Sequence, residues 1–524
     1  DGEYAQLLAA VRAAFRDKPL PLLANGLCEG ATEAFMTSLI EDVCTKAAPD
    51  GGVSRTGRRR CALIVCPEEK DCVRLRQTLE RFGLRAAFYT PRDLSFYNVT
   101  ASHEYEHERM RVLSGLAAGT LDAVITTPDA ALSYTVPPDV LRAASVRLDF
   151  HTPVDPGTLA ERLVAAGYNR VDLVEGAGQF AVRGGIIDVF APFGTYIDDE
   201  GELRAGSYPL RVELFGDEID RMGLFDPETQ RMTCAVDEAE LLPSREVLTD
   251  AAGLERLAAA IAAQRKSARS DEARRTLAEE AAAVAAARAE QTPTGAGLHF
   301  LDRYIRLVYP EPACLLDYFP ERTLFLIRSN AAVQDRLRGG EKLLNEQIVS
   351  LCESGLLAGK YAEFARPAAA FERFLESNVT VHVDSLSYGM SGRRLGGIFG
   401  FRTRHMVSYA DNLRLLCEDV TRYREGGYRI AVIAENETAA RSLADLFADA
   451  GIPAAIPAPG SADTPDAMPR GTVLIHWRSY LFGYELMVPR IAILSTNPDS
   501  RTGSLSTSPA VLRSRKRAAD EVRR

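Results

Sequence analysis

The segment Leu22 to Ile40 constrains the fold most, because it has the outline of a phosphate-binding loop between a strand and a helix. An apolar run leads to Gly26, a second glycine follows at Gly30, and a helical pattern comes next. A working loop reads G-x-x-x-x-G-K-[ST], in which backbone amides and the lysine hold phosphates and the hydroxyl holds Mg²⁺. Here the last three positions of that pattern are Ala31, Thr32 and Glu33. Because a carboxylate would point at the phosphates, the segment is either an accidental match or a nucleotide site that has lost its chemistry.

The acidic half of an ATPase site is missing as well. The apolar strand that would suit it, TLFLI (Thr323 to Ile327), is followed by Arg328 and Ser329 where an Asp-Glu pair is needed. A segment that imitates a helicase DEAx box, Val236 to Glu240, does not follow a buried apolar run. Since no G-K-[ST] occurs anywhere in the chain, we expect that the chain neither binds nor hydrolyses ATP and needs no cofactor.

A second motif, HEYEH from His103 to His107, matches the helical H-E-x-x-H of zinc peptidases. A catalytic zinc site needs a third protein ligand, and the residues that follow offer no histidine and no well-placed carboxylate. The sequence therefore favours a polar first turn of an exposed helix over a metal centre.

Composition limits the class of protein. A chain of 524 residues is too long for one core and predicts two to four domains. A net charge of -10 argues against nonspecific coating of duplex DNA, although it leaves room for a local basic patch. No apolar run approaches the ~20 residues of a membrane span, and the beginning of the chain has no signal-peptide pattern. The nine scattered cysteines lack zinc or redox spacing, so we expect reduced thiols in a cytoplasmic protein with no membrane partner.

The pattern of apolar runs divides the chain into an α/β fold with an insertion. Strand-like and helix-like segments alternate over residues 1–133, which is typical of a layered βαβ domain. Short alternating runs with glycine turns over 134–230 predict a small inserted antiparallel domain, and 231–365 would complete the first one. A further α/β unit at 366–500, with VTVHVDSL as its first strand, precedes a basic tail at 501–524.

One constellation in the insertion carries a possible binding surface. Arg170 and Arg183 lie on either side of a turn, with Ile187 and Phe190 close by. Arginines and aromatic residues are enriched at protein interfaces, but the same pattern also fits an ordinary core with surface charges. On a strand that runs into Gly184, we expect Arg183 to project from the sheet face opposite to Val182.

The motifs of this insertion resemble a known family. The series GYNRVDLV, GQFAVRGGIIDVF, YPLRVELFGDEIDRMGLFDPETQR and LLPSRE is similar to the N-terminal part of the bacterial transcription-repair coupling factors. That part is similar to the excision-repair protein UvrB, and the resemblance covers nearly the whole chain. It implies a degenerate helicase-like domain of the RecA or P-loop type that has lost ATP binding, an inserted antiparallel domain and a second α/β domain.

The resemblance also implies a partner, the repair protein UvrA. Arg170 in Y-x-R-x-D and Arg183 in V-R-G match the UvrA-contacting arginines of the inserted domain, and Ile187 and Phe190 are expected beside them. UvrB has one more arginine, which is Ala181 here. UvrB also has a long DNA-clamping hairpin, whereas the corresponding stretch from Thr90 to Glu108 is short and poor in aromatic residues.

These features together predict an adaptor module without catalytic activity. In the family, a polymerase-interacting domain and two motor domains, which use ATP and Mg²⁺, would follow the basic tail, so the chain has the make-up of a fragment. RNA polymerase and DNA would bind through those further domains, and this module would fold back on the C-terminal part and restrain the motor. The alternatives are an active UvrB-like helicase subunit, which would need Lys and Asp in place of Thr32 and Arg328, and a zinc peptidase based on His103 and His107.

Overall fold

A computed structural model describes residues 2–16, 19–45, 60–92, 104–290, 295, 298–319, 322–384, 394–457, 471–477 and 482–497. The strands are β1 (Leu22–Asn25), β2 (Ala62–Val65), β3 (Ala86–Tyr89), β4 (Ala123–Thr126), β5 (Tyr134–Thr135), β6 (Val146–Asp149), β7 (Asn169–Arg170), β8 (Gln179–Arg183), β9 (Ile186–Asp198), β10 (Leu203–Phe215), β11 (Glu218–Phe225), β12 (Met232–Leu241), β13 (Ala313–Cys314), β14 (Leu324–Arg328), β15 (Val379–Asp384), β16 (Gly397–Gly400), β17 (Thr403–His405), β18 (Arg429–Ile433), β19 (Ala454–Ala455), β20 (Val473–His476), β21 (Tyr484–Leu486) and β22 (Ile491–Ser495).

The helices are α1 (Gly2–Ala14), α2 (Glu29–Cys44), α3 (Glu69–Arg81), α4 (Glu104–Ala118), α5 (Pro128–Leu132), α6 (Pro138–Ala144), α7 (Pro156–Ala165), α8 (Ala251–Ser267), α9 (Asp271–Arg288), α10 (Ile305–Val308), α11 (Asn330–Ser354), α12 (Ala368–Ser377), α13 (Leu413–Glu425) and α14 (Glu437–Asp449). Short 3-10 turns occur at Leu301–Tyr304, Leu315–Tyr318 and Gly359–Tyr361.

The first sheet is parallel throughout, with the strand order β16-β1-β15-β14-β2-β4-β3. Its strands are apolar on both faces because helices cover both sides, as in other buried parallel sheets. In β2, Ala62 and Ile64 pack into the cluster that contains α1, α2 and α3 residues. Leu63 and Val65 pack into the opposite cluster, which includes residues of α4, α8, α9 and α11. The sheet therefore separates two apolar layers.

Strand β15 corrects the prediction that VTVHVDSL opens the unit at 366–500. The strand lies in the first sheet, where Val381 pairs with Leu22 of β1 and Val379 pairs with Leu324 of β14. The next strand, β16, pairs with β1 and forms one edge of the same sheet. The first sheet is thus assembled from distant stretches of chain, and periodicity within a segment cannot show which distant strand is its neighbour.

The second sheet has the order β6-β12-β11-β10-β9-β8-β7 and is antiparallel except for the short pair β7 and β8. Strand β12 also pairs with β9, so β9 to β12 close on themselves. Helix α7 covers one face, where Leu159 and Leu163 pack with Phe180, Val189 and Val212. Asp155 starts this helix, since its side chain accepts a hydrogen bond of 2.7 Å from the Thr158 amide.

This sheet spans residues 146–241, which differs from the predicted insertion at 134–230. Tyr134 and Thr135 pair with Cys314 and Ala313, outside the second sheet. At the other end, β12 joins the second sheet because Leu241 pairs with Val146 and Gly194. The division of the chain into domains stays a prediction, with these differences at the edges of the insertion.

The third sheet has the order β17-β21-β22-β18-β20-β19. The strands β22, β18, β20 and β19 are parallel to one another. Strand β21 is antiparallel to both of its neighbours, β22 and β17. Leu416 of α13 and Phe447 of α14 pack with Val432 of β18 in its core. The edge formed by β17 and β21 contacts α2, which brings the third sheet against the loop between β1 and α2.

A buried ionic network ties the exit of the second sheet to the first. Arg109 of α4 and Arg92 both pair with the carboxylate of Glu246, at 2.9 and 2.7 Å, and all three side chains are at least nine-tenths buried. Arg109 also donates to the carbonyl of Thr90 at 2.8 Å, just after β3. Breaking such a pair on one side costs several kcal/mol, so the network holds the two sheets in a fixed relation.

Candidate functional site

The loop between β1 and α2 is closed by another part of the chain. Gly26 has a φ of 78°, and a Cβ there would lie 2.1 Å from the carbonyl oxygen of Phe401. At Gly30 a Cβ would lie 2.8 Å from the carbonyl oxygen of Phe482. The two glycines are needed because backbone from the C-terminal part of the chain passes directly over them. In a phosphate-binding loop, that close approach belongs to the ligand.

One amide group of this loop is also bound from the same side. The Cys28 amide donates to the hydroxyl oxygen of Thr403 at 2.7 Å, and that hydroxyl donates to the Gly26 carbonyl at 2.8 Å. Cys28 is the residue before α2, whose first amides would face a bound phosphate. Thr403, at the start of β17, therefore takes the place of an anion at the beginning of the helix.

Glu33, where a working loop has its hydroxyl residue, is fully buried in α2. Its carboxylate accepts hydrogen bonds from Arg74 Nε at 3.0 Å and from the Thr78 hydroxyl at 3.3 Å. Burial raises the pKa of Glu33, and the charges of Arg74 and Arg328 partly oppose that effect. Thr32, where a lysine would stand, turns its hydroxyl to the Cys28 carbonyl at 3.0 Å.

Arg328, where an ATPase site would have an acidic residue, belongs to the same charged group. It ends β14, and its guanidinium lies 3.8 Å from both Glu29 and Asp71. Arg74 lies 2.5 Å from Glu29 and 3.4 Å from Asp71. Ser329 precedes α11 with a φ of 56° and makes no side-chain cap. We call Glu29, Glu33, Asp71, Arg74 and Arg328 the loop cluster.

The chemistry of the loop cluster differs from that of an ATPase site. Its three carboxylates are paired with two arginines of the chain itself, and neither arginine is more than 13% exposed. Ala31 lies in the apolar core beneath the loop. Of the residues predicted for this loop, Glu33 and Arg328 join Glu29, Asp71 and Arg74 in an ionic cluster between α2, α3 and β14.

The second candidate site lies on the second sheet, around Arg183 at the end of β8. Its guanidinium pairs with the carboxylate of Asp188, which is fully buried, while 44% of the arginine side chain is exposed. Arg183 shares a face with Ala181, and Val182 packs into the core on the opposite face. The predicted orientation of Arg183 relative to Val182 agrees with this arrangement.

Asp188 holds a second arginine that sequence reasoning missed. Arg211 of β10 binds its two carboxylate oxygens at 2.6 and 2.9 Å and donates to the Gln230 carbonyl at 2.8 Å. The Arg211 guanidinium also lies 5.1 Å from the centre of the Phe225 ring. Asp188 was recognisable only as an acidic residue at an alternate position of a strand, and its burial depends on strands distant in sequence.

Ile187 is a correction to the predicted site. It is fully buried in the core on the α7 face, so it is not part of the surface that carries Arg183. The reason is the register of the β8–β9 hairpin, in which Ile187 pairs with the inward-facing Val182, while Ile186 pairs with Arg183. Phe190 is on the face of Arg183, partly buried against Val174, Ala181 and Phe225.

Arg170 is exposed on the short edge strand β7. Its partner in the parallel pair is Phe180, which faces the core covered by α7. Paired residues of neighbouring strands share a face, so Arg170 and Arg183 lie on opposite faces near the same sheet edge. The structure brings them to one edge of the sheet, where a partner would have to contact both sides.

The other two motifs have structural surroundings. His103 lies outside the described residues, and His107 of α4 packs its ring against Phe193 with 6.3 Å between centroids. Within the described ranges, no group of three His, Cys, Asp or Glu residues is placed to hold a metal. Val236 to Glu240 lies in the antiparallel strand β12, with Asp237 and Glu238 exposed.

Comparison with known proteins identifies the second sheet. Residues 146–246 match the family described as the UvrB interaction domain. The transcription-repair-coupling factor of Bacillus subtilis is 25% identical over 410 residues, which cover 75% of this chain and 32% of that protein. The one of Staphylococcus epidermidis is 22% identical over 405 residues, 76% of this chain and 32% of that protein. The one of Myxococcus xanthus is 38% identical over 142 residues, 27% of this chain and 11% of that protein.

The chain spans about a third of the length of the curated relatives that it matches over most of its own residues. In the described ranges, no helix has the length and apolar character to cross a bilayer. By its UvrB interaction domain and by similarity along three quarters of its length, the chain is related to the N-terminal part of the transcription-repair-coupling factors.

Proposed function

We propose that this chain is a docking module that recruits UvrA during transcription-coupled DNA repair. The observation that carries the proposal is the half-exposed Arg183, held by the buried Asp188 within a UvrB interaction domain. The partner comes from the family resemblance, in which the inserted domain binds UvrA through arginines at these positions. The module acts by binding, and its own catalytic activity is not needed.

Asp188 prepares Arg183 for binding. A guanidinium has five N–H donors in a rigid fork, and Asp188 takes only part of them on its buried side. Since 44% of the Arg183 side chain is exposed, donors that Asp188 does not take can pair with a carboxylate of the partner. Because Arg211 also neutralises Asp188 at 2.6 Å, the aspartate keeps a partner when Arg183 moves or is removed.

We further propose that the first sheet is a helicase-like domain that has lost nucleotide binding. Its parallel strands, helices on both faces and glycine loop after β1 support this assignment. The Thr403 hydroxyl bound to the Cys28 amide and the ion pairs of the loop cluster beside the loop support the loss of phosphate and Mg²⁺ binding. The domain then serves as a scaffold for the second sheet, to which the Glu246 network connects it.

In the whole protein, we propose that further domains supply the contacts with RNA polymerase and DNA and the ATP-driven motor. This module would link the stalled polymerase to UvrA in the cytoplasm, and an intramolecular contact with the C-terminal part would restrain the motor. The stretch that matches this chain makes up only 32% of the Bacillus subtilis relative, which supports a division of labour of this kind.

The direct test is capture of purified UvrA by the immobilised chain at physiological salt, with and without ATP. We expect capture in both conditions, since the docking surface lies on a sheet remote from any nucleotide loop of this chain. No detectable capture of folded UvrA by the folded chain would contradict the proposed function.

A further inference from the structure

Phe215 is an aromatic side chain that the fold leaves in solvent. It is 83% exposed, the highest value among the large apolar side chains in the described ranges. It ends β10, directly before the turn at Gly216, whose φ is 69°. Burial of a phenylalanine side chain stabilises a protein by about 1.5–3 kcal/mol. In the isolated chain, the exposed Phe215 does not contribute this stabilisation.

The strand pattern puts Phe215 on the face of Arg183. Val212 and Leu214 of β10 pack into the core covered by α7, so the alternate residues Arg211, Glu213 and Phe215 face the other side. That is the side on which Arg211 and Arg183 both bind Asp188. Phe215 is therefore continuous with the proposed docking surface.

The two hairpin tips also lie side by side. The Leu214 amide donates to the Gly185 carbonyl at 2.7 Å, and Glu213 pairs with Ile186. Phe215 thus comes directly after Leu214, which contacts the β8–β9 turn, and Arg183 is the residue before that turn. Asp217 and Glu218, both exposed, follow on the other side of the phenylalanine. The surface is an apolar tip with Arg183 and Glu213 on one side and two carboxylates on the other.

We propose that Phe215 is a second anchor for the protein that Arg183 binds, inserting into an apolar recess of UvrA. This inference rests on the proposed function. The recess would have an acidic side chain on the side of Arg183 and basic side chains on the side of Asp217 and Glu218. Interfaces concentrate binding energy in a few aromatic and arginine side chains that are surrounded by polar contacts. Arg183 fixes the orientation, and Phe215 supplies the apolar area.

The test compares Phe215→Ala with Leu203→Ala in the full chain, by titration against purified UvrA. Leu203 is the matched control because it is also exposed, at 60%, and lies at the opposite end of the same strand. We expect Phe215→Ala to weaken binding at least about tenfold and Leu203→Ala to leave it unchanged. Both variants should keep the parent's melting temperature, since neither side chain packs in a core.

Arg183→Ala, measured in the same series, separates this inference from the proposed function. If the parent and Arg183→Ala differ but Phe215→Ala binds as the parent does, Phe215 is not an anchor and only this inference fails. If the parent does not bind UvrA, both fail. The alternative partner for Phe215 is a second copy of the chain, and sedimentation of the parent tests whether the chain dimerises. Dimerisation that Phe215→Ala abolishes, with UvrA binding unchanged, would overturn the assignment.

Discussion

Glu33 and its neighbours illustrate how single residues give the first loop a structural contact. A carboxylate at this position is incompatible with a bound triphosphate, but it serves as the buried end of an ionic contact with Arg74 of α3. The missing lysine and hydroxyl were readable from the sequence. The ion pairs that Glu33 and its neighbours form could not be predicted, because Arg74 and Arg328 are far from the loop along the chain. The sequence around each of these arginines gives no sign of its partner.

Arg74→Ala should lower the free energy of unfolding by about 3 kcal/mol, because it removes the arginine from the fully buried Glu33 and from Glu29. Arg76→Ala on the same helix is the control. Arg76 pairs with Glu80 at 3.2 Å with 36% of its side chain exposed, so its loss should cost under about 0.5 kcal/mol. Urea unfolding measures both. Equal effects of the two substitutions would show that the loop cluster does not stabilise the fold.

Asp384 at the end of β15 should make stability depend on pH. Burial raises its pKa from 3.8 to about 6, although the Asn330 amide opposes this by donating to it at 3.1 Å. When folding raises the pKa of a carboxyl, the folded protein loses stability as the pH rises from the pKa of the unfolded state through that of the folded state. Above pH 6, the ionised Asp384 lowers the free energy of unfolding by up to about 3 kcal/mol.

Asp384→Asn should therefore stabilise the chain at pH 8, with a gain that disappears by pH 4, where the native carboxyl is protonated. Asparagine can still accept the Asn330 amide. The exposed Asp445→Asn on α14 serves as control and should change little at either pH. Urea unfolding at the two pH values is the measurement, and a gain that is the same at pH 8 and pH 4 would exclude Asp384 as its source.

At the scale of elements, local patterns predicted much and pairing little. The strands around Leu63, Ile125 and Leu326 were recognisable as buried runs, since both faces of a parallel sheet are covered. The positions of β12 and β15 were assigned to the wrong neighbours, because strand pairing is decided by contacts between distant segments. Ile187 was placed on the surface for a related reason, as the two-glycine turn sets which residues of β9 oppose Val182.

The β1–loop–α2 element should not bind nucleotide. Its first amide is taken by Thr403 at 2.7 Å, and its glycines are covered by the backbone at Phe401 and Phe482. We expect no heat of binding in a calorimetric titration of the chain with Mg-ATP, and no ATP hydrolysis. Binding of micromolar affinity that Thr32→Glu abolishes would contradict this and would favour the alternative of an active helicase subunit.

In the whole molecule, the buried Glu246 network connects the first sheet to the second sheet, on which we propose that the partner binds. The resemblance of the insertion to the family was readable from its motifs, and the matched domain at 146–246 agrees with it. Alternation along β8 predicted the face of Arg183 relative to Val182, but the motifs did not show which of the other site residues share that face. Arg170 and Arg183 share an edge but not a face. Arg183 and Arg211 meet at Asp188 only when β8, β9 and β10 pair.

The affinity of UvrA for Arg183→Ala, measured by calorimetry beside the parent, tests the central claim most directly. Arg204→Ala is the matched control, because Arg204 is an exposed arginine of the same sheet and pairs with Asp198 at 2.8 Å. We expect Arg183→Ala to cost about 2 kcal/mol or more, roughly thirtyfold in Kd, at an unchanged melting temperature, and Arg204→Ala to bind as the parent does. Equal affinity of Arg183→Ala and the parent would contradict the account.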